Sequence, residues 1–280
     1  MNEHEQYWSI GEPERQRMLK EHYNLRDAGH PYATSRDGNQ RELEITAIQK
    51  ALQAITPGRL VDLGCGNGYT LIQIGKHLPG WEFDGIDFSE ALIDGASRLL
   101  GAAQGELHTT PTFHCGDAIA FVESLADASV DVVLTERFLL NLPSQTAQMQ
   151  MLKDVARVLK PGGHLLMCEA SVDGLNELNR LRVGMGLAAI QETSQDNLSA
   201  IRFDDHAIED FVRSIGFDLV SKEGFSLFFA ISRVLHPALV SPDQPKFDAL
   251  INDLARRIQE LLPLTPGIGS NVLWVLKKAV

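Results

Sequence analysis

Three glycines at alternate positions follow a carboxylate in the segment Asp62-Leu63-Gly64-Cys65-Gly66-Asn67-Gly68. Glycine reaches positive φ without strain and has no Cβ, so a backbone of this composition can close around a ligand. The apolar residues ahead of it, Leu60 and Val61, predict that the glycines end a strand and lead into a helix. A turn of this kind offers free N–H groups to the acceptor atoms of a nucleotide-like cofactor.

The spacing of the glycines narrows the choice of cofactor. A dinucleotide-binding fingerprint reads G-x-G-x-x-G, but Tyr69 holds its last position here and the third glycine comes one residue early, at Gly68. Asp62 followed by G-x-G-x-G resembles the first motif of the class I S-adenosylmethionine (SAM) dependent methyltransferases. The resemblance covers about residues 55–169, because further elements of that family follow in order. They are Asp87, Gly116-Asp117-Ala118, Thr135-Glu136-Arg137 and Pro161-Gly162-Gly163.

This resemblance implies a site for SAM, whose product is S-adenosylhomocysteine (SAH). The glycines would wrap the methionine part, and Asp62 would order the loop or meet the amino group. Asp87 would accept hydrogen bonds from the ribose hydroxyls and Asp117 would face the adenine amino group, although either aspartate could instead serve as a helix N-cap. The predicted cofactor-binding residues are Asp62, Gly64, Cys65, Gly66, Asp87, Phe88, Asp117, Ala118, Thr135 and Arg36.

Methyl transfer from a sulfonium is an in-line displacement, so the protein mainly aligns donor and acceptor and excludes water. Arg36 and Arg137 would clamp the SAM carboxylate or an anionic acceptor, unless they form surface ion pairs. A hydroxyl acceptor also needs a base that takes its proton. The strongest candidates are the two glutamates that end central strands, followed by His30. The candidate bases are Glu136, Glu169, His30, Tyr32, His206 and His236.

These residues need a scaffold that brings strand ends together. From Arg59 to Ser171 short apolar runs alternate with amphipathic stretches, which is the pattern of βαβ units around a parallel sheet. With two strands nearer the C-terminus, this predicts an α/β fold: a doubly wound, mostly parallel seven-stranded sheet with helical cap insertions. The predicted strands cover 59–63, 81–87, 112–115, 130–135, 164–169, 217–220 and 271–277.

The rest of the chain is predicted to surround this sheet. Residues 1–56 are interpreted as an N-terminal helical lid segment, with a helix over 45–55, and residues 57–280 as the methyltransferase domain. Cap insertions are expected at about 174–204 and 225–269. The acceptor would then enter between the lid segment and the cap.

Composition limits the partners. The net charge of −12 argues against nucleic acid, which would need clustered Lys and Arg against its phosphates. No run approaches the ~20 apolar residues of a membrane span, and the polar N-terminus lacks signal-peptide features, so a cytoplasmic location and no membrane contact are expected. Cys65, Cys115 and Cys168 are expected to be buried free thiols, and no metal-ligand spacing is found. A small-molecule acceptor is expected, and a homodimer is left open.

The leading hypothesis is a SAM-dependent methyltransferase that acts on a small molecule, with O-methylation favoured over N-methylation. Two hypotheses come from other classes: an NAD(P)-dependent oxidoreductase and a catalytically silent SAM-binding protein. The shortened glycine spacing and the lack of a Tyr-x-x-x-Lys pair disfavour the first. The intact glycine loop with both Asp87 and Asp117 disfavours the second.

Overall fold

The computed structural model describes residues 3–191 and 198–280. Seven strands form one sheet, as the alternation of apolar and amphipathic segments predicts. Five of the seven predicted strands match to within one residue at both ends. β6 ends four residues later than predicted, and β5 begins five residues early, at Leu159, so that it includes the Pro-Gly-Gly segment. The strands are β1 Arg59–Leu63, β2 Glu82–Asp87, β3 Thr112–Cys115, β4 Val130–Glu136, β5 Leu159–Ala170, β6 Phe217–Gly224 and β7 Asn271–Lys278.

The strand order is β3-β2-β1-β4-β5-β7-β6. β1 pairs in parallel with both β2 and β4, and β4 pairs in parallel with β5. β7 pairs antiparallel with both of its neighbours, β5 and β6, and so is the one strand of the sheet that runs in the opposite direction. The predicted doubly wound, mostly parallel sheet is confirmed. The chain runs outward from β1 in one direction to β3 and then returns to β4 on the other side, so a topological switch point lies between β1 and β4.

Helices connect and cover the strands. A 3₁₀ turn, Leu139–Asn141, follows β4, and a π-helical turn, Ile231–Leu235, lies between two short helices. None of the helices within 3–191 and 198–280 is long and apolar enough to cross a membrane. The α-helices are α1 Glu3–Ser9, α2 Glu12–Asn24, α3 Gly38–Gln53, α4 Tyr69–Gly75, α5 Glu90–Ala102, α6 Ala118–Ser124, α7 Gln145–Val158, α8 Val172–Gly184, α9 Asp205–Ser214, α10 Ser226–Ala230, α11 His236–Val240 and α12 Leu250–Glu260.

The apolar core lies on both faces of the sheet. Successive strand residues point to opposite faces, so Leu60 packs into the cluster on one face and Val61 into the cluster on the other. α3 contributes Ile45 and Ile48 to the first cluster, and α7 contributes Leu152 to the second. A parallel sheet covered on both faces leaves its strand ends as the accessible edge.

α3 begins at Gly38, earlier than the helix predicted over 45–55. Asp37 caps it, because the Asp37 carboxylate accepts a hydrogen bond from the Gln40 N–H at 3.2 Å. The first turns then carry Arg41 and Glu44, which are 3% and 0% exposed. Because these buried residues are polar, the periodic pattern of apolar residues that marks the helix in the sequence begins only after the first turns of α3.

The N-terminal helices are packed separately from the main core. Tyr7 of α1 and Leu19 of α2 form a small cluster with Leu198, and Tyr23 and Phe88 pack against it. Of the insertion predicted over about 174–204, residues 192–197 lie outside the described residues. α8 fills its first part, and the chain from Leu198 leads to α9.

Candidate functional site

A cavity of about 970 Å³ opens where β1, β2 and β4 end. Its wall includes Asp62 of β1, Asp87 of β2 and Glu136 of β4, together with side chains of α2 and the start of α3. Open α/β sheets bind ligands at the carboxyl ends of their strands, beside the switch point. The volume lies at the upper end of the range for ligand pockets, about 300–1,000 Å³. It is therefore large enough for a nucleoside-sized molecule and a second small molecule.

The glycine loop after β1 uses all three glycines for their backbone conformation. Gly64, Gly66 and Gly68 have φ of +71°, +58° and +68°. A Cβ on Gly66 would lie 2.9 Å from Cγ2 of Thr34, and a Cβ on Gly68 would lie 2.3 Å from Cζ of Phe113. The spacing thus has a structural reason, because a side chain at Gly66 or Gly68 would collide with Thr34 or Phe113. Gly64 and Gly66 line the cavity.

Asp62 lies beneath this loop and lines the cavity. It is 2% exposed, and within the described chain its Oδ1 has no hydrogen-bond partner. Burial, and next the charge of Glu136, raise the pKa of Asp62 well above its ordinary value. A buried acceptor without a donor is costly, so this oxygen fits a ligand that brings an N–H or ammonium group.

Asp87 ends β2 and holds the glycine loop in place. Its carboxylate accepts hydrogen bonds from the Gly66 N–H and the Ser89 N–H, each at 2.9 Å. Burial raises the pKa of Asp87 to about 6, although these two N–H groups lower it in part. Beside it, the ring of Phe88 lies 6.1 Å from that of Tyr23. The wall at this point combines a carboxylate with an aromatic surface.

Asp117 follows β3 and caps α6. Its Oδ1 accepts hydrogen bonds from the N–H groups of Ile119 and Ala120, at 2.7 and 3.3 Å. The N-cap alternative is therefore present in the structure. Asp117 nevertheless lines the cavity together with Ala118 and Ile119, so a second role toward a ligand is compatible with the capping role.

Glu136, at the end of β4, belongs to a buried ionic cluster. It forms an ion pair with Arg41, and the Thr70 hydroxyl donates a hydrogen bond to its carboxylate at 2.7 Å. Burial would raise the pKa of Glu136, but the guanidinium groups of Arg41 and Arg137 outweigh burial and lower it. Glu136 thus remains ionised at neutral pH, which makes it a weak base and a strong hydrogen-bond acceptor.

Arg137 extends the same cluster. Its φ of +56° lies in the left-handed region, which is uncommon for a residue with a Cβ. The guanidinium forms an ion pair with Glu44 of α3, and the Asn271 side chain donates to the same glutamate at 2.8 Å. Burial raises the pKa of Glu44 to about 6, against the effect of Arg137. Arg137 and Asn271 reach the cavity, while Glu44 supports them from behind.

Six of the predicted cofactor-binding residues and candidate bases are not among those that line the cavity. They are Thr135, Glu169, His30, Tyr32, His206 and His236. The Glu169 carboxylate is fully buried and accepts hydrogen bonds from the N–H groups of Phe138, Leu139 and Leu140, at 3.0, 3.0 and 3.3 Å. Thr135 is also fully buried, whereas His30 is exposed. The predicted residues that do line the cavity are Asp62, Gly64, Cys65, Gly66, Asp87, Phe88, Asp117, Ala118, Glu136 and Arg36.

The expectation for the cysteines is wrong at one position. Cys65 and Cys168 are buried free thiols, but Cys115 is exposed and lines the cavity, because it is the last residue of the edge strand β3. Across 3–191 and 198–280 no group of three or more His, Cys, Asp or Glu side chains could hold a metal ion.

Sequence reasoning missed most of the cavity wall that lies outside the carboxyl ends of β1 to β4. It is built by residues far apart in the chain that share no motif, and the one signal in the sequence is Arg202, which stands between the apolar residues Ile201 and Phe203. The missed lining residues include Lys20, Tyr23, Arg26, Gln40, Arg41, Asn141, Arg202, Arg233, Phe247 and Asn271.

Known proteins similar to this chain share its central part. A methyltransferase domain family matches residues 61–165. The tRNA N(3)-methylcytidine methyltransferase of Schizosaccharomyces pombe is 26% identical over 168 residues, which are 59% of this chain and 66% of that protein. Demethylmenaquinone methyltransferase of Deinococcus radiodurans is 33% identical over 132 residues, which are 47% of this chain and 51% of that protein. The chain spans between 34% and 66% of the first curated relatives that it matches.

A solved structure shows the same fold over most of the chain. A SAM-dependent methyltransferase from Archaeoglobus fulgidus superposes with a TM-score of 0.54 at 18% identity, covering 85% of this chain and 94% of that one. At this level of identity the likeness concerns the architecture, since one fold serves many activities.

Proposed function

We propose that this chain, which belongs to the class I SAM-dependent methyltransferases, binds SAM in the cavity at the end of β1 and transfers its methyl group to a small-molecule acceptor. The observation that carries the proposal is the pair of buried aspartates, Asp62 and Asp87, beside a loop of positive-φ glycines at the switch point. SAM would supply an electrophilic methyl group on a sulfonium; the chain supplies binding, alignment and exclusion of water.

We assign the groups of the donor to residues of the cavity from the chemistry of their side chains. The unpartnered Oδ1 of Asp62 would accept from the α-ammonium of the cofactor, and the carboxylate of Asp87 from the ribose hydroxyls. Phe88 and Ala118 would flank the adenine, and Asp117 would lie near its amino group. Cys65 would line the same part of the cavity. Arg36, which also lines the cavity, would meet the carboxylate.

The acceptor half favours oxygen as the methylated atom. Glu136 stays ionised beside Arg41 and Arg137, so it would orient an acceptor hydroxyl by accepting its hydrogen bond. The transfer then depends on alignment, because the pKa of Glu136 is too low for strong base catalysis. An N-methyl acceptor remains the alternative.

A small molecule is proposed as the acceptor despite the tRNA methyltransferase among the relatives. The net charge of −12 opposes binding of a polyanion, and α2 covers one side of the cavity. A homodimer stays a prediction.

Titration calorimetry with SAH tests the donor site. Wild-type protein should bind SAH in the micromolar range, and Asp87→Ala should weaken binding at least about tenfold, because a charge-assisted hydrogen bond contributes about 1.5–3 kcal/mol. Asp94→Ala removes an exposed carboxylate of α5 and serves as the matched control with unchanged affinity. A wild-type protein that binds neither SAM nor SAH would contradict the proposed function.

A further inference from the structure

We infer that a second copy of this chain binds to the exposed apolar face of α12, and that the two α12 helices pair antiparallel across a twofold axis. The face consists of apolar side chains about one helical turn apart, on the side of α12 that is turned away from the rest of the protein. They form the α12 stripe: Leu250, Leu254, Ile258 and Leu261.

The α12 stripe is a continuous line of exposed apolar side chains. Leu250 and Leu261, at its two ends, are 72% and 85% exposed, and Leu254 and Ile258 between them are 46% and 45% exposed. Single exposed leucines are ordinary, but residues at i, i+4, i+8 and i+11 lie along one face of a helix. Together they leave an apolar patch of roughly 400 Å² in water, and a patch of this size marks an interaction surface.

The opposite face of α12 fixes the helix in the protein. Ala255 belongs to the core cluster that also contains residues of α3, and Asn252 is 1% exposed. The Gln259 side chain accepts hydrogen bonds from the N–H groups of Leu227 and Phe228, at 3.1 and 3.2 Å. The helix is therefore fully packed on this face, and the α12 stripe is an additional apolar surface that the fold itself does not use.

The α12 stripe is self-complementary in the antiparallel direction. With a twofold axis at the middle of the helix, Leu250 faces Leu261 of the second copy and Leu254 faces Ile258 of the second copy. An isologous interface needs a surface of this kind, which matches itself after rotation by half a turn.

The charged residues beside the α12 stripe fit the same arrangement. Asp253 and Arg257 lie on one flank of the stripe and pair with each other within the helix, at 2.9 Å. In the antiparallel pair each of them also faces the opposite charge of the second copy, so the interface brings no like charges together.

Charge favours a second copy over a membrane surface. The chain has a net charge of −12, but α12 carries two acidic and two basic side chains and is neutral, so two copies can approach there with little repulsion. A helix that lies on a membrane has a polar face rich in Lys and Arg, and an anionic bilayer repels a chain of this charge.

The size of the α12 stripe predicts a weak dimer. Pairing of two stripes removes roughly 800 Å² of apolar surface from water, and the flanking side chains bring the total to about the 1,000 Å² that a specific interface needs. Interfaces of this size belong to complexes that form and dissociate readily. We expect a dissociation constant in the micromolar range.

Sedimentation velocity at rising protein concentration tests the dimer. The wild type should pass from monomer to dimer in the micromolar range. Leu254→Lys and Leu261→Lys should each raise the dissociation constant at least about tenfold, because the new charge enters the interface twice and loses its water there. Leu25→Lys is the matched control: Leu25 is 87% exposed and lies outside the stripe, just after α2, so the dissociation constant should not change.

A charge exchange tests the antiparallel register. Asp253→Arg and Arg257→Asp should each weaken the dimer, since each brings like charges together across the twofold axis. The double variant restores opposite charges at both positions and should recover the wild-type dissociation constant. Single variants that dimerise as well as the wild type would contradict the antiparallel pairing.

Three results would overturn the inference. They are a wild type that stays monomeric at every concentration, a dimer that Leu254→Lys and Leu261→Lys leave intact, and a monomeric wild type that sediments with vesicles of phosphatidylcholine and phosphatidylglycerol while Leu254→Lys does not. The last result would assign the stripe to a membrane. The changed side chains are exposed, so circular dichroism should show folded variants, and no readout depends on SAM, which separates this inference from the proposed function.

Discussion

Two glutamates lie at the ends of neighbouring strands, Glu136 on β4 and Glu169 on β5, and their surroundings give them different chemistry. Glu136 meets guanidinium groups, which stabilise its ionised form. Glu169 meets the three N–H groups of the turn after β4 in a fully buried position, and burial raises its pKa to about 7. Glu169 therefore holds the turn that carries Phe138 and the cavity residue Leu140, and it is a positioning residue for that wall.

The Glu169→Gln variant should flatten the dependence of folding stability on pH. The pKa of Glu169 rises from its ordinary 4.5 to about 7 on folding, so between these values the folded chain binds more protons than the unfolded chain. The stability that Glu169 contributes is present at low pH and is lost as the pH rises through about 7. The total loss in the free energy of unfolding is about 3 kcal/mol. Glutamine is neutral throughout and removes this loss, which urea unfolding at about pH 5 and about pH 8 measures.

Glu123→Gln is the control for that experiment. It removes an exposed carboxylate of α6 and changes the net charge equally, so the wild-type slope should persist. A Glu169→Gln protein that keeps the full wild-type slope would show that the carboxyl group titrates normally in the folded chain.

At the scale of elements, the glycine loop combines a binding role with a packing constraint. Gly68 is the residue that distinguishes this loop from a dinucleotide fingerprint, and it is buried against the ring of Phe113 on β3. The close approach of loop and β3 brings the ends of β1 and β3 to one cavity. The early third glycine thus has a packing reason, the close approach to Phe113 on β3, beside the cofactor-binding role proposed for the loop.

Gly68→Ala should lower the free energy of unfolding by at least about 2 kcal/mol. Left-handed backbone costs an L-residue about 1–2 kcal/mol, and the new Cβ would also lie 2.3 Å from Phe113 Cζ, an overpacking that costs about 1–3 kcal/mol. Gly80→Ala is the matched control, since Gly80 has φ +82° and its nearest atom, Pro57 Cβ, is 3.7 Å away. Urea unfolding should show the smaller, backbone-only loss for Gly80→Ala; equal losses would contradict the packing argument.

The elements differ in how far the sequence predicts them. β1, with Leu60, Val61 and Leu63, is a buried apolar run followed by glycines, so pattern and structure coincide. The sequence does not predict the start of α3, because Arg41 and Glu44 occupy buried positions where tertiary ion pairs and hydrogen bonds compensate their burial. The donor side follows strand ends in order and is therefore predictable from the sequence. The part of the cavity wall that contains Arg41, Arg202 and Arg233 depends on contacts between distant segments and is not.

At the scale of the whole molecule, α1 and α2 form a cover that is separate from the sheet's core. Their apolar residues pack in a small cluster with Leu198, and α2 presents Lys20 and Tyr23 to the cavity. The cover ends where residues 28–31 are tied to the glycine loop: the Asn67 side chain donates to the carbonyl of His30 at 2.8 Å and to that of Ala28 at 3.4 Å. Removing the helices before residue 27 should therefore leave the loop's own support intact.

Deletion of residues 1–26 should weaken SAH binding more than it weakens the fold. The deletion removes the α2 wall and the Tyr23 ring that packs beside Phe88, so bound SAH would be more exposed to water and would dissociate faster, by at least about fivefold. The two main apolar clusters contain none of the deleted residues. The melting temperature should therefore fall by no more than about 5 °C, which for a chain of this size corresponds to about 2–3 kcal/mol.

Deletion of residues 1–10 tests α1 separately from α2: none of the described side chains of α1 lines the cavity, whereas Glu12, the first residue of α2, does. This shorter deletion should leave the SAH dissociation rate within about twofold of the wild type, as measured by stopped-flow displacement. If the two deletions release SAH equally fast, or if the 1–26 deletion releases it at the wild-type rate, α2 does not close the cavity.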